Sequence, residues 1–236
     1  MQINYGQNPR MGYNMSVDVR SFLSRVFLFM SGGLALTGVL SLILSNMPHV
    51  MHAIFSTPLF FVFALAPLGV SMYISARFQS MSVYMLQNLF WLYCMLMAVS
   101  MSSVFLLYTG ESIARTFFVT SGVFLSAAIY GRSTKKDLSY MGMFMFMGVV
   151  GIMIASVLNI FIKSSSLDFV ISLIGVVVFT ALTAYNIQNL ISIHSHYSMN
   201  GESLNKIAII GSLSLYVNFV NLFVFMLRFF GNRRND

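Results

Sequence analysis

Charge is what this sequence has least of. Only 8% of its 236 residues are Asp, Glu, Lys or Arg, where soluble domains carry about a quarter. That little polar surface cannot coat a water-soluble globule. Cysteine is nearly absent as well. The single Cys94 rules out a disulfide framework within the chain and reads as a small buried apolar residue. Acids are the rarest charges: Asp18, Glu111, Asp137, Asp168, Glu202 and Asp236 all fall between the long apolar runs. His49, His52, His194 and His196 fall there too. Proton relays and membrane metalloenzymes place such groups at membrane depth, so neither is expected. His194 and His196 are two apart with no third ligand in view. No Gly-rich loop cradles phosphate, and no Ser, His and acid come together within the spans. A retinal pigment needs a lysine inside its last helix, and Lys206 stands only at that segment's entrance. No catalytic residue, no cofactor and no high-affinity metal are expected. The first twenty residues lack the apolar region of a cleavable signal and read as a polar, disordered tail.

What the chain does have is apolar length. It is 58% hydrophobic with 23 Phe and 19 Met, and its mean hydropathy is +0.81. A membrane span needs about 20 mostly apolar residues. Seven segments qualify: roughly 22–45, 54–75, 83–107, 113–131, 139–162, 169–190 and 206–230. Residues 21–236 therefore form a single membrane domain, with lipid as its surroundings. Asp137, Ser139 and Ser112 are candidate helix N-caps, and Gly148, Gly151 and Ala155 offer a small-residue packing face. The net charge of +7 follows the short connecting segments, which marks topology and anionic lipid, not nucleic acid. With seven spans, the side of the N-terminus holds eight Lys and Arg against five opposite. That excess places the N-terminus in the cytoplasm.

Two apolar runs turn polar near their ends. In TALTAYNIQNL (180–190), Tyr185, Gln188 and Asn189 share one helical face; in LSLYVNFVNLF (213–223), Ser214, Asn218 and Asn221 share another, with Tyr216 beside them. Amides in hydrocarbon are costly unless hydrogen-bonded, so both stripes face inward, towards each other or a common cavity. Arg77 closes the second segment on the same side as the loop joining the last two. Helix glue accounts equally for any one of these amides.

These blocks resemble one family along nearly the whole chain. TAYNIQNL is similar to its Tyr-Asp-x-Gln stretch near the end of helix six. GSLSLYVNFVNLFVFMLRFFGNRR is similar to its Leu-Tyr-Leu-Asp-Phe-Ile-Asn-Leu-Phe helix and trailing Leu-Arg-x-Phe-Gly. YTGESIARTFFVTSGVF and YGRSTKKDLSYMGMFMFMGVVGI match its middle block. The family is that of the Bax inhibitors (transmembrane Bax inhibitor motif), in its bacterial branch. The resemblance implies an all-α integral membrane protein of seven transmembrane helices, six surrounding a central C-terminal helix, in a bacterial inner membrane. It implies a pH-sensitive Ca²⁺ leak, in which two aspartates share a proton and contact an arginine of helix two. Those positions match Asn186, Asn218 and Arg77 here. With both carboxylates replaced by amides, pH gating is expected to be weak or lost and Ca²⁺ binding weak. The two amides are left to hydrogen-bond each other and latch the last two helices. The alternative is a non-conducting regulator of a membrane protease or of stress and cell-death pathways.

Overall fold

In a computed structural model, residues 9–196 and 201–234 are described. Among them the chain is all helical: α1 (Pro9–Ser45), α2 (Pro48–Phe55), α3 (Leu59–Arg77), α4 (Val83–Leu107), α5 (Gly110–Ser133), α6 (Ser139–Ile162), α7 (Ser165–His196) and α8 (Gly201–Phe230). Six are long and apolar enough to cross a membrane: α1 from Asp18 onward, α4, α5, α6, α7 and α8. The helix of α1 starts at Pro9, so it covers much of the segment read as a disordered tail. Residues 1–8 lie outside the described residues.

The second apolar segment is broken. Ser56 ends α2 by donating its backbone N–H to the His52 carbonyl, and Pro58 precedes α3. The short α2 is thus a separate element, and α3 is 19 residues long, or about 28 Å at 1.5 Å per residue. Packing sets its direction. Thr37 of α1 meets the Cys94 carbonyl of α4, and Ser41 meets that of Ala98. Contacts that advance together along both helices mean that α1 and α4 run parallel. The chain must therefore return between them, and α3 carries it back beside α4, where Ser100 Oγ donates to the Phe63 carbonyl.

α8 is the most enclosed helix: 61% of its apolar window is buried, against 6% in α6. It packs chiefly on α1, α4, α5 and α7, while α3 leans on α4 and α6 on α7. Four principal neighbours, rather than six, surround the last helix, because α4 and α7 stand between it and the two outer ones.

The small-residue face expected on α6 is used in part: Gly148 and Ala155 pack against neighbours, and Gly151 does not. Gly151 has open space where a Cβ would go, so it faces no neighbour, whereas Gly148 meets Val178. The tightest approach is at Gly131 of α5, where a Cβ would land on the backbone of Ala184 in α7. Capping also differs. Thr109, not Ser112, caps α5 by accepting from the Ser112 N–H at 3.3 Å. The Ser112 hydroxyl instead accepts from the Asn232 N–H at 2.9 Å. Residues beyond α8 are strapped to the α4–α5 turn, with the Arg234 N–H donating to the Leu107 carbonyl and Arg233 bridging Tyr108. Neither Asp137 nor Ser139 is the N-cap of α6. That position is Leu138, which offers no side-chain cap. Asp137 Oδ1 accepts from the Ser139 N–H at 2.9 Å, and Ser139 hydrogen bonds hold its carboxyl below the usual carboxylate range.

Candidate functional site on the seam between α7 and α8

α7 and α8 pack antiparallel. Gly175 and Phe179 lie against Phe225, Asn186 meets Ser214, and Leu190 lies against Gly211. On α8 the stripe Ser214, Asn218, Asn221 and Phe225 recurs at helical spacing, so the polar residues face α7 as expected. A hydrogen bond crosses the seam: Asn186 Nδ2 donates to Ser214 Oγ at 2.7 Å. The bond anticipated between Asn186 and Asn218 is not the one that forms, because antiparallel packing sets Asn186 level with Ser214, one turn away from Asn218.

Asn218 is buried at 5% exposure, and its Nδ2 has no partner. A buried donor left unpaired costs about 1–3 kcal/mol. Asn221 Nδ2 turns back to the Val217 carbonyl of its own helix. A second orphan is Thr120 Oγ1, fully buried on α5, the helix packed against both α7 and α8. The sequence signal for it was present and missed: Ser112, Thr116 and Thr120 recur every fourth residue, and all three are buried.

The other expected residues separate into different jobs. Gln188 is a clamp: its Oε1 accepts from the Leu138 N–H and its Nε2 donates to the Lys136 carbonyl, both at 2.8 Å. It pins the α5–α6 loop to the end of α7. Tyr185 lies flat on Gly142 of α6, where a Cβ would strike its ring. Tyr216 points the opposite way, towards α1 and α4. Its hydroxyl sits 2.6 Å from Thr37 Oγ1, which donates to the Cys94 carbonyl at 3.1 Å. A threonine hydroxyl has one proton, so Tyr216 is the donor to Thr37. The Ser212 hydroxyl on the same flank lies between the Val26 carbonyl at 2.9 Å and the Ala208 carbonyl of its own helix at 2.6 Å.

Arg77 does not join the seam. It is exposed at the end of α3, which packs on α2 and α4 and is screened from α8 by α4. With no carboxylate at 186 or 218, nothing on the seam attracts its charge. Among the described residues, no group of three His, Cys, Asp or Glu could hold a metal ion.

The polar, otherwise apolar α7–α8 seam lies within a stretch that matches a known family along almost its full length. The model of the family described as "Inhibitor of apoptosis-promoting Bax1" matches residues 19–235. The chain belongs to the Bax inhibitor family. Relatives of this Bax inhibitor chain include an uncharacterized Rickettsia prowazekii protein, RP147, 42% identical over 217 residues and covering 92% of each chain. An uncharacterized protein of Borreliella burgdorferi is 42% identical over 216 residues, 91% of this chain and 93% of the relative. The inner membrane protein YbhL of Escherichia coli K12 is 38% identical over 218 residues, 92% of this chain and 93% of YbhL. Family membership and six long apolar helices make this Bax inhibitor chain an integral membrane protein.

Proposed function

We propose that the chain is a seven-span cation leak protein of a bacterial inner membrane, Ca²⁺ among its ions, in which the helix latch has lost proton control. The antiparallel return of α3 supports the seventh crossing, and the burial of α8 supports its central place. The eight-to-five division of Lys and Arg supports a cytoplasmic N-terminus.

The observation that carries the reading is the Asn186–Ser214 bond. An amide and a hydroxyl do not titrate in any accessible pH range, so acidification neither makes nor breaks this latch. A carboxylate pair would share a proton and respond steeply to pH. Hydrogen bonds between membrane helices average about 0.6 kcal/mol. A bond of that size biases a closed over an open seam only about threefold, which is compatible with a slow, ungated leak. Amide oxygens can ligate Ca²⁺ without supplying charge, so binding along the path is weak.

A non-conducting role, regulating a membrane protease or another membrane protein, is the second reading. The absence of any acid from the apolar seam among the described residues favours it. Liposome flux decides between them. Ca²⁺ flux through the wild-type chain is expected to be equal within about twofold at about pH 6 and about pH 8, while Asn186→Asp with Asn218→Asp makes it pH-dependent. A steep pH response of the wild type refutes the ungated latch. Absence of flux above empty liposomes for both proteins refutes conduction and leaves the regulatory reading.

A further inference from the structure

At the end of the bundle away from the N-terminus, α4 and α6 do not pack on each other, and α8 closes the gap from behind. The result is a cavity of about 470 Å³, within the range that holds small ligands. Its lining is mixed. Met101, Ile160 and Val224 are apolar, Ser103, Ser156 and Asn159 are polar but uncharged, and Asp168, Arg228 and Arg233 carry charge.

The charges there do not cancel. Arg228 Nη1 is 3.7 Å from Asp168 Oδ1, too long for a hydrogen bond, so its donors remain free for another acceptor. Among the described residues no carboxylate pairs with Arg233, and its backbone is held over the cavity by the bridge to Tyr108. Among the described residues, two guanidinium groups against one carboxylate leave a net positive charge in the cavity lining. A guanidinium fork matches a phosphate in two parallel hydrogen bonds.

We propose that this cavity binds a net-anionic phospholipid, its phosphate between Arg228 and Arg233 and an acyl chain along the Met101–Ile160 side. The apolar residues of the lining favour a lipid over free phosphate. Ile160 is 67% exposed on the outer surface of α6, so a chain entering there arrives directly from the bilayer. The net charge favours phosphatidylglycerol over phosphatidylcholine, whose choline offsets its phosphate. This site is independent of whether the chain conducts ions.

The test equilibrates the full-length protein with an equimolar mixture of phosphatidylglycerol and phosphatidylcholine, and counts bound lipid by native mass spectrometry. Phosphatidylglycerol is expected in excess. Arg233→Gln should reduce that excess about fivefold, the effect of one cation close to an anionic headgroup. Asp168→Asn should raise it, since among the described residues it removes the one carboxylate of the lining. Size-exclusion profiles and helical content confirm that each variant is folded, and the opposite signs separate a binding effect from general damage. Equal retention of the two lipids, or an Arg233→Gln protein that binds like wild type, overturns the proposal. Displacement of the lipid by glycerol phosphate at matched concentration also overturns it, because the site then recognises phosphate alone.

Discussion

Gly131→Ala adds one methyl group where there is no room for it. The new Cβ would fall on the carbonyl, C and Cα of Ala184, all backbone atoms, so no side-chain rotation can relieve the clash. Either α5 withdraws from α7 or both helices bend. Overpacking of this kind costs about 1–3 kcal/mol. Ala is the better helix former by up to about 1 kcal/mol, which would mask part of that cost. Gly151→Ala supplies the correction. It is also helical, yet its Cβ meets nothing within 4 Å, so it receives the propensity gain without the clash. The difference between the two variants then isolates the steric cost. Thermal unfolding in detergent, followed by helical content and by the monodisperse fraction, should place Gly131→Ala below wild type and Gly151→Ala at or above it. A Gly131→Ala protein as stable as Gly151→Ala would refute the close α5–α7 approach.

Thr37→Val should be more damaging than Tyr216→Phe, by about 1–2 kcal/mol. The first leaves a fully buried tyrosine hydroxyl with only the Cys94 thiol, a weak acceptor, whereas the second removes a donor from a threonine that keeps its bond to the Cys94 carbonyl. The double variant should recover part of the Thr37→Val loss, and equal effects of the two single changes would sink the assignment of the donor. Asp137 predicts a pH effect of known sign. Its folded-state carboxyl is held below the ordinary value by Ser139, so the stability it lends is present above the ordinary carboxylate range. That contribution is lost as pH falls through its lowered value. Stability of wild type relative to Asp137→Asn, measured from neutral to strongly acidic pH, should converge at the acid end; a difference that grows on acidification contradicts the hydrogen bonds from Ser139.

Much of this bundle was legible because helical periodicity and hydropathy act on every residue of a span. The segments at 83–107 and 139–162 needed almost no revision, and the stripe Ser214, Asn218, Asn221 does face α7. What failed depended on partners. Residues 54–75 looked like one run because apolar neighbours outweighed Ser56, Thr57 and Pro58, although a proline disfavours helix in the residue before it. The register between Asn186 and Ser214 could not be read, since a polar stripe fixes a face but not a depth along the partner helix. Thr37 and Ser41 were passed over for a related reason: they bond backbone carbonyls of α4, and every residue carries such a carbonyl. Arg77 was placed by its position at a helix end, but that says nothing about which helix screens it.

α8 is held very differently on its two flanks. Towards α1 and α4, Tyr216 bonds Thr37, which reaches the Cys94 carbonyl, and separately Ser212 meets the Val26 carbonyl, all of them buried. Towards α7 and α5, Asn186 bonds Ser214 across the seam, and among the described residues two buried polar atoms, on Asn218 and Thr120, have no partner. The aromatic packing on that flank, Phe179 on Phe225 and Phe124 on Phe219, restrains it little, because lipid tails replace apolar contacts at low cost. Parting α8 from α1 and α4 would take the Thr37 partner from the fully buried Tyr216 hydroxyl and break the Ser212–Val26 bond, whereas parting it from α7 breaks one neutral bond and exposes two groups already unsatisfied. The close Gly131–Ala184 contact ties α5 to α7, so these two would separate from α8 together. The weak seam of the bundle therefore runs along the amides of α7 and α8, neither of which can ionise.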